Sequence, residues 1–189
     1  ARPEGNSLRM MDRLREPVRL AAGLDDKRRL DGAARDRALA CLERFGQRLR
    51  GLPSQAVRAV GTNTLRQLRA ADDFLDRAQA ALGHPIQIVS GYEEARLVYL
   101  GVAHSIAGDD RRRLVMDIGG GSTELIIGEA FVPRQMESLH MGCVSATQRF
   151  FADGRITEKT LQAAELAARR ELEPIAARDR RAGPSPLHL

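Results

Sequence analysis

Apolar positions along the chain change period several times, and each change predicts an element. Hydrophobic and polar residues alternate weakly from Ser7 to Leu14 and again from Val18 to Leu20, which predicts strand, bend and short strand; Gly23-Leu-Asp-Asp26 reads as a loop. From Asp31 the spacing becomes helical. Ala38, Leu42, Phe45 and Leu49 recur at intervals of 4, 3 and 4, with Asp31 as N-cap and Gly51-Leu-Pro53 as the stop. That apolar face is expected to pack on a sheet, with Cys41 beside it. Ala56 to Val60 reads as a strand running into Gly61-Thr-Asn-Thr-Leu-Arg66 at the start of a helix. A helix from Asp72 to Leu82 shows Leu75, Ala78 and Leu82 on one face and ends at Gly83. Pro85 to Val89 is the next strand, bounded by Ser90-Gly91, and Glu93-Glu94-Ala-Arg96 opens a helix with apolar Leu97, Val98 and Leu100.

A turn at Gly108-Asp-Asp110 leads into the most distinctive stretch, Leu114 to Gly128: an apolar run ending in Asp117, three glycines, Ser122-Thr123, Glu124 and a second apolar run. This predicts a β-hairpin with an unusual tip. Val132 to Leu139 reads as a third strand, with Pro133 marking an edge or bulge. Met141-Gly-Cys-Val-Ser145 enters a short helix reaching Phe150 and Phe151, with Met141 and both phenylalanines expected in the core. Gly154-Arg-Ile-Thr157 caps a long helix carrying Leu161, Ala164, Ala168, Leu172 and Ile175. From Arg178 the periodicity is lost, and residues 178–189 are expected to be disordered. Strands and helices alternating in this order predict an α/β sheet with a parallel portion.

Composition narrows the function classes. At 43% hydrophobic and 29% charged residues the chain reads as a soluble globular protein, and 4% aromatic residues with no Trp provide poorly for stacking on bases, so no nucleic-acid partner is expected. Cys41 and Cys143 lie far apart, and the four histidines form no metal-ligand spacing. No apolar run reaches membrane-spanning length and the first residues hold no apolar signal core, so a cytoplasmic location without membrane insertion is expected. Thirty basic against 25 acidic residues give +5, which favours a polyanionic partner or reflects an arginine-rich composition.

Three places carry candidate chemistry. Gly119, Gly120 and Gly121 can take positive φ and leave no Cβ in the way, so backbone N–H groups can converge on a phosphate oxygen, with the Ser122 and Thr123 hydroxyls adding donors. Asp117 and Glu124 beside this loop would repel a bare phosphate unless a divalent cation bridged them, which points to phosphate with Mg²⁺; the alternative is a plain glycine turn with solvated acids. Arg66, just beyond a strand's carboxyl end, is placed to grip phosphate or is an exposed helix arginine. Glu93 and Glu94 in a first helical turn either stabilise the helix dipole, or one of them orients and deprotonates an attacking water.

Taken in order, Gly61-Thr-Asn-Thr-Leu-Arg66, Ser90-Gly-Tyr-Glu-Glu-Ala-Arg96, Asp117-Ile-Gly-Gly-Gly-Ser-Thr-Glu124 and Met141-Gly-Cys-Val-Ser145 resemble the exopolyphosphatase and guanosine pentaphosphate phosphatase (Ppx/GppA) family, over about Ala1 to Ile175. The resemblance implies an actin-like ATPase, ribonuclease H-like fold of paired α/β lobes with the site in the cleft between them. It implies Mg²⁺-dependent hydrolysis of the terminal phosphate of inorganic polyphosphate, or of the 5′ γ-phosphate of pppGpp. Glu94 then looks like the water-activating residue and Asp117 and Glu124 like Mg²⁺ or catalytic-site carboxylates. Arg66, Gly119, Gly120, Gly121, Ser122 and Thr123 look like phosphate contacts. The resemblance also implies a homodimer in the full-length protein.

Against the family pattern, the sequence starts where an opening Asp-x-Gly-Ser-Asn-Ser hairpin would be ending, and it stops before most of the second lobe. The expected layout is therefore a first lobe over 1–110 lacking that hairpin and the start of a second lobe over 111–177. Competing classes are a sugar or acetate kinase of the same superfold, against which Glu93-Glu94-Ala-Arg96 argues, and a non-catalytic polyphosphate- or nucleotide-binding regulator.

Overall fold

Asp31 starts α1 (Gly32–Leu49) as its position predicts: its carboxylate accepts the Ala34 N–H at 2.6 Å, satisfying an otherwise unpaired donor of the first turn. The computed structural model describes residues 2–4, 7–9, 13–69, 73–106 and 111–181. The chain divides into two compact units, Ala1–Glu94 and Ala95–Leu189.

In the first unit, β1 (Arg2–Glu4) and β2 (Ser7–Arg9) form an antiparallel pair, while β3 (Ala59–Gly61) and β4 (Ile86–Ile88) pair in parallel with Ala59 opposite Ile86. Between β3 and β4 run α2 (Asn63–Gln67) and α3 (Phe74–Leu82), the latter closed by Gly83 in the left-handed region at φ 74°. The expected start of α3 at Asp72 lies outside the described residues, as do parts of the opening strand and the turn at 108–110.

Two expectations fail here for packing reasons. Val18 to Leu20 is not a strand: Arg19 is left-handed and Leu20–Gly23 forms a 3-10 turn. The turn seats Gly23 against the start of α1, where a Cβ would stand 2.2 Å from that of Ala34, and the Gly23 carbonyl accepts the Asp31 N–H at 2.8 Å. The buried stripe of α1 is Ala34, Ala38 and Cys41 rather than Ala38, Leu42, Phe45 and Leu49; Ala34 and Ala38 pack with Phe74 and Ala78 of α3, and Ile86 of β4 lies against the same cluster. Small side chains let the helices approach closely. Ala34 and Ala38 join Leu30, Phe74 and Ala78 in one core, and at Gly46 an added Cβ would lie 2.7 Å from the Leu82 carbonyl oxygen.

In the second unit, β5 (Arg112–Ile118), β6 (Thr123–Glu129) and β7 (Val132–Leu139) form an antiparallel meander with β6 in the middle. Val115 faces Ile126, Asp117 faces Glu124 and Glu124 faces Ser138. A bulge between Ile127 and Gly128 sets Pro133 opposite Gly128, so the proline sits on an edge strand where its missing N–H is tolerated.

One face of this sheet is covered by α4 (Gly91–Ser105), whose residues from Ala95 onward belong to the second unit. The covering residues are Ala95, Tyr99 and Ala103, with Val98 beside them, while the expected Leu97 is 40% exposed. Tyr99 decides this orientation. Its ring lies so close to Gly128 that a Cβ there would come within 2.3 Å, and its hydroxyl donates to the Ala130 carbonyl at 3.0 Å.

Beyond β7, α5 (Cys143–Phe150) and α6 (Glu158–Arg181) follow, and α6 is capped by Thr157, whose hydroxyl accepts the Thr160 N–H at 3.2 Å. Phe150 and Phe151 are half-buried, and with Met116, Ile118 and Leu161 they border a cavity of about 470 Å³. The helical backbone of α6 continues through Arg181, past the point where order was expected to end; 182–189 lie outside the described residues. Among the described residues no helix is long and apolar enough to cross a membrane.

Candidate functional site

In the first unit the chemistry gathers at the carboxyl ends of β3 and β4. The parallel ladder extends one residue past β4, where the Val89 N–H donates to the Gly61 carbonyl at 3.0 Å, so the two strands end side by side. Ser90 then caps α4: its hydroxyl accepts the Glu93 N–H at 3.1 Å and its carbonyl accepts the Glu94 N–H at 2.9 Å. These caps fix the first turn of α4, and the short α2 carries Arg66 to the same place. Arg66 Nη1 donates to Glu94 Oε2 at 2.7 Å and to the Val89 carbonyl at 2.9 Å. The two side chains are only 22% and 15% exposed, so the pair is partly withdrawn from water and its attraction is less screened than that of a surface pair. Glu94 thus meets a cation across the strand ends. The alternative of a freely exposed Arg66 is thereby removed.

In the second unit the hairpin tip gathers the other candidates. Asp117 and Glu124 are cross-strand partners, with their side chains on one face. Asp117 is exposed, whereas Glu124 is 1% exposed and its Oε1 accepts the Ser138 hydroxyl at 2.9 Å. A buried carboxylate needs such partners to remain in place. None of the three loop glycines takes the positive φ expected of them. At Gly119 the turn closes tightly. Gly119 N–H closes the turn on the Ser122 carbonyl at 2.9 Å, and a Cβ on Gly119 would lie 3.1 Å from that oxygen.

The loop is held from behind by α5. The Cys143 N–H donates to the Gly119 carbonyl at 2.9 Å, and the Val144 and Ser145 N–H groups donate to the Gly120 carbonyl at 2.9 and 3.0 Å. Three unpaired donors of a helix start are thus satisfied by loop carbonyls. The Thr123 hydroxyl donates to the Met141 carbonyl at 2.7 Å, so its proton is directed at this brace. Gly142 has no room for a side chain, because a Cβ would sit 2.5 Å from Gly120 C and from Gly121 N. Ser145 Oγ accepts the Gly142 N–H at 3.2 Å and completes the bracket. Sequence reasoning marked 141–145 as a helix entry but missed it as the loop's support. The Gly-x-x-Ser spacing was a capping signal; nothing local tied it to a loop twenty residues earlier.

The candidate residues thus fall into two sets: Arg66 with Glu94, and Asp117, Gly119, Gly120, Gly121, Ser122, Thr123 and Glu124 around one loop. Among the described residues no group of three or more His, Cys, Asp or Glu side chains could hold a metal ion. A carboxylate pair still suits Mg²⁺, which keeps several waters and is bound through one or two carboxylates together with substrate phosphates.

The chain is similar to several solved structures. The backbone is similar to that of an exopolyphosphatase-like protein (TM-score 0.82, 26% identity, covering 90% of this chain and 55% of that one). It is similar to an exopolyphosphatase from Cytophaga hutchinsonii (TM-score 0.68, 26% identity, 88% and 52% covered). A Ppx/GppA family member from Aquifex aeolicus also matches (TM-score 0.62, 26% identity, 84% and 51% covered). The chain therefore spans about half the length of these solved structures, and its α/β class is the actin-like one expected from the sequence. The profile of the Ppx/GppA phosphatase family matches residues 1–187, and the chain belongs to that family.

Proposed function

We propose that this chain carries catalytic residues of a Mg²⁺-dependent exopolyphosphatase, which hydrolyses the terminal phosphate of inorganic polyphosphate with water activated by Glu94. The observation that carries the reading is the contact of Glu94 with Arg66 at the carboxyl ends of two parallel strands, partly withdrawn from water. Phosphoryl transfer asks the protein for positioning, charge neutralisation and an oriented nucleophile. Glu94 supplies the last. As the water oxygen bonds to the terminal phosphorus, the bridging P–O bond breaks and its electron pair leaves with the shortened chain, while the water proton passes to Glu94.

Arg66, the backbone N–H groups of Gly120 and Gly121 and the Ser122 hydroxyl bind phosphate oxygens in this account, while Gly119 and Thr123 shape the loop through their bonds to the Ser122 and Met141 carbonyls. Asp117 and Glu124 would hold Mg²⁺, which neutralises charge on the transferring phosphoryl group when bound. Polyphosphate is preferred as substrate because of the net charge of +5 and the likeness to the C. hutchinsonii exopolyphosphatase. The test is phosphate release from long-chain polyphosphate and from pppGpp in parallel. Faster turnover of polyphosphate supports the proposal; activity confined to pppGpp would replace it with a pentaphosphate 5′-phosphohydrolase.

A further inference from the structure

Arg66 is engaged in an unusual way for a residue that also has to grip a phosphate. Both of its hydrogen bonds, to Glu94 Oε2 at 2.7 Å and to the Val89 carbonyl at 2.9 Å, come from the single nitrogen Nη1. A guanidinium carries five N–H donors in one rigid plane. Among the described residues no contact engages Nη2 or Nε, and the side chain keeps 22% of its surface open. The plane itself is anchored at both ends of its local frame. The Val89 carbonyl belongs to the residue that extends the parallel ladder, and Glu94 belongs to the first, capped turn of α4.

We propose that Arg66 is the positioning residue for the water-activating carboxylate: Nη1 fixes Glu94 while the free edge of the same guanidinium takes an oxygen of the terminal phosphate. One planar group then sets the spacing between base and phosphorus. This rests on the reading of Glu94 as the base.

The experiment compares full-length wild type with Arg66→Lys, Arg66→Gln and Glu94→Gln, measuring kcat and KM for polyphosphate, with thermal melting as the folding check. Lysine keeps the charge but is a point donor without a fork, so it can serve the carboxylate or the phosphate and not hold both in one plane. Arg66→Lys is expected to lose about 100-fold in kcat, the cost of a small misplacement of the nucleophile. Arg66→Gln removes both the charge and the fork and is expected to lose at least as much in kcat. If Arg66→Lys keeps kcat and raises only KM, Arg66 is a phosphate contact and the proposal is overturned; a folded Arg66→Gln that keeps kcat overturns it too. If Arg66→Gln fails to fold, the kcat and KM of Arg66→Lys decide alone. Full activity in Glu94→Gln would instead remove the base assignment itself, whatever the arginine variants do.

Discussion

Replacing Gly142 with alanine tests whether the α5 brace holds the glycine loop in its working place. The backbone of Gly142 is extended, at φ −153°, so alanine meets no conformational penalty there. Its new methyl group would stand 2.5 Å from Gly120 C and Gly121 N and 2.6 Å from Gly120 O. All three are backbone atoms, and Gly120 O is bonded to Val144 and Ser145, so no side chain can swing aside. Restoring ordinary contact distances requires the loop and α5 to part by about 1 Å. Such overpacking costs roughly 1–3 kcal/mol of stability, or a few degrees to about 10 °C of melting temperature for a chain of this size. A displacement of about 1 Å in a phosphate-positioning element costs roughly 100-fold in rate, about 2.7 kcal/mol of transition-state stabilisation. Activity should therefore collapse in a variant that still melts cooperatively. Gly32→Ala is the control, because no atom lies within 4 Å of the added methyl group. Phosphate release and melting of both variants are the assays. A folded Gly142→Ala with wild-type kcat/KM would refute the idea that the 141–145 segment fixes the loop.

Five further outcomes follow from the packing and the charges. Gly128→Ala drives a methyl group into the Tyr99 ring and should lower the melting temperature by an amount corresponding to about 1–3 kcal/mol; Tyr99→Phe, losing the bond to Ala130, should cost about 1 kcal/mol in chemical denaturation. Asp31→Ala removes the α1 cap and should also cost about 1 kcal/mol by the same measurement. Burial pushes the Cys41 thiol up while Cys143 is exposed, so a thiol reagent should label Cys143 quickly at neutral pH and reach Cys41 only on unfolding, read by mass spectrometry. The hydrogen bond from Arg44 holds the Glu16 carboxyl below its usual range. The stabilisation this gives is present above the ordinary carboxylate range and is lost as pH falls through the lowered value, so Arg44→Gln should melt below wild type at pH 7 and converge with it in acid.

What could be read from the residues alone was whatever depends on a few neighbours. The Asp31 cap, the Gly83 stop and the hairpin around Asp117 and Glu124 are all local devices, and each stands where the spacing put it. The face of α4 was not legible. Leu97 is the more apolar residue, yet Tyr99 is inside because only Gly128, 29 positions later, leaves space for its ring. The same is true of Gly119, where the crowding comes from the Ser122 carbonyl rather than from φ. Arg66 and Glu94 could each be singled out by type and position, but a separation of 28 residues concealed that they bind each other. The brace at Gly142 was hidden for the same reason: contacts between distant segments leave little trace in a local pattern.

The central claim is that Glu94 activates the water that attacks a terminal phosphate. It is tested most directly by Mg²⁺-dependent phosphate release from long-chain polyphosphate, comparing the full-length protein with its Glu94→Gln variant at matched stability. The account predicts release by the wild type and a loss of at least about 100-fold in kcat in the variant, with polyphosphate binding retained. Equal turnover by the two proteins, or binding of polyphosphate without release by the wild type, would contradict it.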